Sequence, residues 1–95
     1  MFVGILKIEL RFHPVSSIKE KRNIINSIKE KIRVRFKTAI AEVGDQDLYN
    51  SSVLGVAYIS NTHNHAISRG QNIITFLENN ESEIFHDYNF VVEEY

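Results

Sequence analysis

Ile18, Ile25, Ile28, Ile32 and Phe36 recur at helical spacing, with Ile24 on their flank, and this stripe fixes the first long element of the chain. Ser17-Ile18-Lys19-Glu20 matches a capping box, in which Ser17 caps the helix and the Glu20 carboxylate returns to the Ser17 amide. The spacing predicts an amphipathic helix of about 18 residues.

Strand-like patterns flank it. Leu6, Ile8, Leu10 and Phe12 alternate with Lys7, Glu9 and Arg11, so residues 2–12 read as a half-buried strand, stopped by His13-Pro14. Thr38 to Val43 reads as a short strand closed by the turn-like Gly44-Asp45. From Val53 to Ile59 every residue except Gly55 is apolar or aromatic, which predicts a central strand buried on both faces. Asn61 or Thr62 can cap a second helix carrying Ala66, Ile67, Ile74 and Leu77, ended by Asn79-Asn80. Phe85 to Val92 reads as a last strand, with Tyr88, Phe90 and Val92 facing inward. The order β-α-β-β-α-β with short connections is that of an α+β ferredoxin-like sandwich: a four-stranded antiparallel sheet, first and third strands central, both helices on one face.

At 95 residues there is room for one domain, spanning 1–95, and not for a second core. A hydrophobic content of 43% with 24% charged residues argues against disorder. The absence of cysteine excludes disulfides, thiolate nucleophiles and thiolate metal sites, including those of heavy-metal carriers with this fold. Lys7, Glu9 and Arg11 interrupt the apolar start, which has no basic leader, so it does not read as a signal peptide. No apolar run approaches the roughly 20 residues of a membrane span. No membrane association is expected, and a cytoplasmic location is.

Charge is distributed unevenly. Between Lys19 and Lys37 eight basic residues face two acidic ones, a net of +6, which leaves −7 for the rest of a chain whose formal charge is −1. On a helical projection Lys19, Arg22, Lys29 and Arg33 form one ridge with Asn26 between them, while Lys31 and Arg35 lie on the opposite shoulder of the apolar stripe. Neighbouring ridge positions about 5–6 Å apart suit a phosphate backbone, whose neutralisation releases counterions. Three plainer explanations compete: bases in the last turn favour the helix dipole, the ridge can pair with acidic loops of its own chain, or it is simply solvated. Lys21 projects into the apolar stripe, where a lysine ordinarily packs its stem and keeps its ammonium in water; contact with a ligand is the other option.

Other constellations are weaker. His63 and His65 stand together at a strand–helix junction, but two histidines without a further ligand at known spacing are a poor metal signal, and no metal or cofactor is expected. Asp45 and Asp47 flank Gln46 in a turn, where carboxylates more often bond backbone amides than transfer protons. No catalytic residue is assigned. The central strands lack the outward aromatics of an RNA-recognition motif. Instead Val3, Ile5, Val53, Ala57 and Ile59 share a face that no helix covers. Sheet-to-sheet packing into a homodimer would cover it, unless the stems of Lys7 and Arg11 shield it.

The chain also resembles the YlxP-like proteins, small bacterial domains of unknown function. The likeness rests on Val3-Gly4-Ile5-Leu6, on Ser17-Ile18-Lys19-Glu20-Lys21-Arg22 as its most specific part, and on Arg35-Phe36 leading to Ala39-Ile40-Ala41-Glu42-Val43. Gln46-Asp47-Leu48, Gly55-Val56-Ala57 and Ser60-Asn61 continue it in order. Tyr49 stands where tryptophan is common in the family, and Lys37 where asparagine is more usual. The resemblance implies a ferredoxin-like fold and supplies no activity. Its genes often neighbour those for translation initiation and ribosome maturation factors, which implies an RNA or ribosomal partner.

These readings converge on a non-enzymatic binding module that contacts RNA or another polyanion through Lys19, Arg22, Lys29 and Arg33, with Lys21 and Arg35 as secondary contacts. The alternative is a homo-oligomeric interaction domain using the outer sheet face. A small metal-dependent enzyme around His63, His65, Asp45 and Asp47 would need those residues in one pocket.

Overall fold

A computed structural model describes residues 1–13 and 15–95. Its elements are β1 (Phe2–Arg11), α1 (Ile18–Phe36), β2 (Ala39–Gly44), β3 (Ser51–Ser60), α2 (His63–Asn80) and β4 (Phe85–Glu94). All strand pairs are antiparallel, in the order β2-β3-β1-β4, so β1 and β3 are central as the order of elements implied. This is the ferredoxin-like sandwich. β1 ends one residue before Phe12, and the role given to Pro14 lies outside the described residues.

The even-numbered residues of the central strands face the helices. Leu6, Ile8, Leu10, Leu54, Val56 and Tyr58 join Ile25, Ile28 and Ile32 of α1 and Ala66, Ile73, Ile74 and Leu77 of α2 in one buried cluster. Each fully buried leucine or isoleucine contributes about 1.5–3 kcal/mol. Because both helices lie over one face, β3 is not buried on both sides as its apolar run suggested. Its alternate residues lie on the uncovered face, where Ala57 and Ile59 are exposed. Tyr88 is likewise less buried than expected. It pairs with Ile8, but β4 is an edge strand, and the Tyr88 ring stacks at the rim on Phe85 instead of entering the core. Phe90 and Val92 are half-buried against the core.

The helix ends show how local sequence stops each element. Ser17 Oγ accepts from the Glu20 amide at 3.1 Å, as the capping box required. The Glu20 carboxylate, however, reaches Ser16 rather than Ser17, accepting from its amide at 2.8 Å and its hydroxyl at 2.6 Å. These bonds hold the Glu20 carboxyl below the usual carboxylate range. Thr62 caps α2, accepting from the His65 amide. At the other end of α1, Lys37 is left-handed, with φ 54°, and its amide donates to Arg33 O. That conformation favours glycine or asparagine. Lys37 is therefore a backbone stop, which accounts for asparagine's suitability at this corner. Gly70 marks a close approach: a Cβ there would lie 2.1 Å from the Phe90 ring, so only glycine lets α2 settle on β4.

Candidate nucleic-acid interface on the first helix

The two shoulders of α1 have different neighbours. Lys31 lies 3.4 Å from Glu81 at the end of α2, and the Arg35 guanidinium lies over the rings of Phe36 and Phe76, 5.7 and 5.2 Å from their centroids. That shoulder faces α2. The ridge of Lys19, Arg22, Lys29 and Arg33 occupies the other flank, away from α2, where α1 packs beside the edge strand β2. From Lys19 to Arg33 it runs about 21 Å along the helix axis.

Among the described residues, Lys19, Arg22 and Lys29 have no carboxylate oxygen within 4.0 Å. Arg33 is the exception: its guanidinium contacts Glu30 at 2.7 and 3.1 Å. The pair holds the Glu30 carboxyl below the usual carboxylate range and raises the Arg33 guanidinium. Both side chains are more than half exposed, so their mutual stabilisation is screened by water. Arg33 is thus neutralised by Glu30 of its own helix, and among the described residues no acidic loop pairs with any of the four ridge cations.

Lys21 does not belong to this surface. It is 1% exposed, and its ammonium donates to Asp45 O at 2.6 Å and Leu48 O at 2.5 Å, with Glu42 Oε2 at 3.5 Å. Glu42 in turn accepts from the buried Ser52 hydroxyl at 2.5 Å. The stem does pack in the apolar stripe, but the head is not in water. The β2–β3 loop folds over it and supplies carbonyls in place of solvent, so Lys21 has no reach to a phosphate. Arg35 is exposed but sits across the helix from the ridge.

His63 and His65 begin α2, whereas Asp45 and Asp47 lie in the turn after β2. The ten residues of β3 separate these groups, about 30 Å at strand rise, so they form no common pocket. The His63 ring instead stands edge-on to Phe2 at 5.7 Å. Among the described residues no three histidines, cysteines, aspartates or glutamates are placed to hold a metal ion.

On the outer sheet face Val3 and Val53 are half-buried, while Ile5, Ala57 and Ile59 are exposed. The register adds neighbours beyond the central strands: Ala39 pairs with Ala57, Ala41 with Gly55, and Val91 with Ile5. Val43 packs over Gly55, and it is 56% exposed, Val91 44% and Ile59 62%. Lys7 pairs with Gly55 and Glu9 with Val53, so charged side chains border the Val53 end of the face, while Ile5, Ala57 and Ile59 stay exposed.

Arg69 carries a role that charge counting missed. It lies 4.4 Å from the Tyr58 ring centroid and donates to Ile59 O at 2.9 Å, Ser60 Oγ at 3.4 Å and Phe36 O at 3.2 Å. It thereby ties the end of α1 to β3 and α2. The signal was its isolation, since it is the sole lysine or arginine after Lys37.

Residues 3–89 match the model of the family described as Protein of unknown function (DUF503), and the chain belongs to that family. It is 25% identical over 76 residues to the uncharacterized protein YlxP of Bacillus subtilis (strain 168), covering 80% of this chain and 83% of that one. Among solved structures it is similar to NE2512, a protein of unknown function from Nitrosomonas europaea, with a TM-score of 0.57, 13% identity, and coverage of 100% of this chain and 90% of that one. Rv0793 from Mycobacterium tuberculosis has a TM-score of 0.55 at 13% identity, over 100% of this chain and 95% of that one. At these identities the structural likeness shows the fold alone. No helix is long and apolar enough to cross a membrane.

Proposed function

We propose that this protein is a non-enzymatic binding module whose first helix docks on RNA, in keeping with a ribosomal partner, through Lys19, Arg22, Lys29 and Arg33. The observation that carries the reading is the row of cations on one flank of α1, three of which lack a carboxylate partner. Such contacts give affinity with little sequence readout. Titration of a short labelled RNA, followed by fluorescence polarisation, tests it. The Lys19→Gln/Arg22→Gln protein is expected to bind about ten-fold more weakly at low salt, while Lys7→Gln/Arg11→Gln, which removes two exposed cations from the sheet, binds like the wild type. Equal losses in both double variants, or none in either, would overturn the reading.

A second reading is favoured by the outer sheet face. Contiguous exposed apolar residues on a small domain mark a contact surface, and here Ile5, Val43, Ala57, Ile59 and Val91 adjoin one another. Two copies packed sheet to sheet would bury them in a homodimer. Ile59→Asp is then expected to yield monomers in sedimentation equilibrium. A wild-type chain that stays monomeric at the highest attainable concentration would contradict it.

A further inference from the structure

The α2-facing shoulder of α1 forms a groove with α2, lined by Ser27, Glu30, Lys31, Val34, Arg35, Phe76 and Asn80, with a volume of about 630 Å³. That is within the range of sites for small organic ligands, roughly 300–1,000 Å³. Its walls are largely apolar: Val34 is 58% exposed, and Phe76 is half-buried in an edge-to-face pair with Phe36, ring centroids 5.5 Å apart.

Above this apolar floor lies a cation without an anion. The Arg35 guanidinium rests over Phe76 and Phe36, and among the described residues it makes no hydrogen bond and has no carboxylate oxygen within 4.0 Å. The cation–π contacts hold its planar fork in place, so a ligand would meet donors already positioned. The two acidic groups nearby are engaged elsewhere, Glu30 with Arg33 and Glu81 with Lys31. Asn80 donates its side-chain amide to Phe76 O and closes the end of the groove.

We infer that this groove binds a small planar aromatic carboxylate, its ring on Phe76 and Val34 and its carboxylate accepting a bidentate pair of hydrogen bonds from Arg35. A planar anion matches the fork of an arginine better than the point charge of a lysine. The ligand's ring replaces water on Val34 and Phe76. The groove faces α2, whereas Lys19, Arg22 and Lys29 lie on the other flank of the helix, and Glu30 at its rim is taken up by Arg33.

Nuclear magnetic resonance titration with 2-naphthoate tests the assignment, using the full chain and following backbone amides. Shifts are expected at Val34, Arg35, Phe76 and Asn80. The neutral alcohol 2-naphthylmethanol is expected to bind at least about ten-fold more weakly, and Arg35→Gln to weaken 2-naphthoate by a similar factor. Arg35→Lys is expected to fall between the two, because charge remains and the fork is lost. Arg35 is exposed, so an unchanged spectrum of the variant away from the groove shows that its fold is intact. Equal binding of acid and alcohol, an unaffected Arg35→Gln protein, or shifts centred on Lys19, Arg22 and Lys29 would overturn the inference.

Discussion

The Lys21 ammonium donates to the Leu48 carbonyl across 2.5 Å, so the first turn of α1 holds the tip of the β2–β3 loop. With Asp45 O at 2.6 Å and Glu42 at 3.5 Å, the charge has protein partners in place of water. A lysine amid the basic run of the helix is therefore part of the scaffold and not of its surface.

Removing that head takes the donor from two loop carbonyls and the counter-charge from Glu42, which keeps only the Ser52 hydroxyl as a partner. Breaking a buried pair from one side costs about 3–5 kcal/mol. Lys21→Met, which keeps the stem, is expected to lower the urea midpoint accordingly without changing RNA affinity in the folded protein. A midpoint within error of the wild type would contradict the anchoring role.

Lys37 adopts φ 54° as the stop of α1, at a cost that glycine avoids. Lys37→Gly is expected to stabilise the fold by about 0.5–1 kcal/mol, offset in part by the greater entropy of an unfolded glycine. Thermal unfolding checks this. For a domain of this size the gain corresponds to a rise of a few degrees in Tm, up to about 8 °C.

Tyr58 gives a pH dependence. Its hydroxyl donates to Ala66 O at 2.6 Å, and burial pushes its pKa up, with the nearby Arg69 charge opposing. The folded state therefore favours the neutral phenol more than the unfolded chain does. Its contribution is fully present below about pH 10, the ordinary tyrosine value, and is lost as pH rises through the raised folded value. Tyr58→Phe is expected to cost about 1 kcal/mol at neutral pH and to flatten the alkaline limb of stability against pH. An alkaline limb as steep as the wild type's would show that another group controls it.

The fold was legible because its signals are local and periodic. Leu6, Ile8 and Leu10 alternate, Ile25, Ile28 and Ile32 repeat at helical spacing, and Ser17 and Thr62 cap their helices with their own side chains. What escaped the sequence depends on contacts between distant segments. Nothing near Lys21 indicates that a loop beginning 24 residues later will cover its ammonium. The capping carboxylate of Glu20 shifted by one residue because the Ser16 hydroxyl offers a second donor. The breadth of the outer face became visible once the register set Val91 beside Ile5 and Ala39 beside Ala57. For the ridge, spacing indicated which cations share a flank and set Glu30 three residues before Arg33, while the lack of any carboxylate from other elements beside Lys19, Arg22 and Lys29 required side-chain geometry.

The salt dependence of RNA binding addresses the ridge most directly. Each phosphate contact on a single strand contributes about −0.7 to the slope of log affinity against log salt. If Arg22 and Lys29 each neutralise a phosphate, Arg22→Gln/Lys29→Gln is expected to be shallower than the wild type by about 1.4. Identical slopes in the two proteins, measured on the same RNA, would contradict the assignment of this helix as the binding surface.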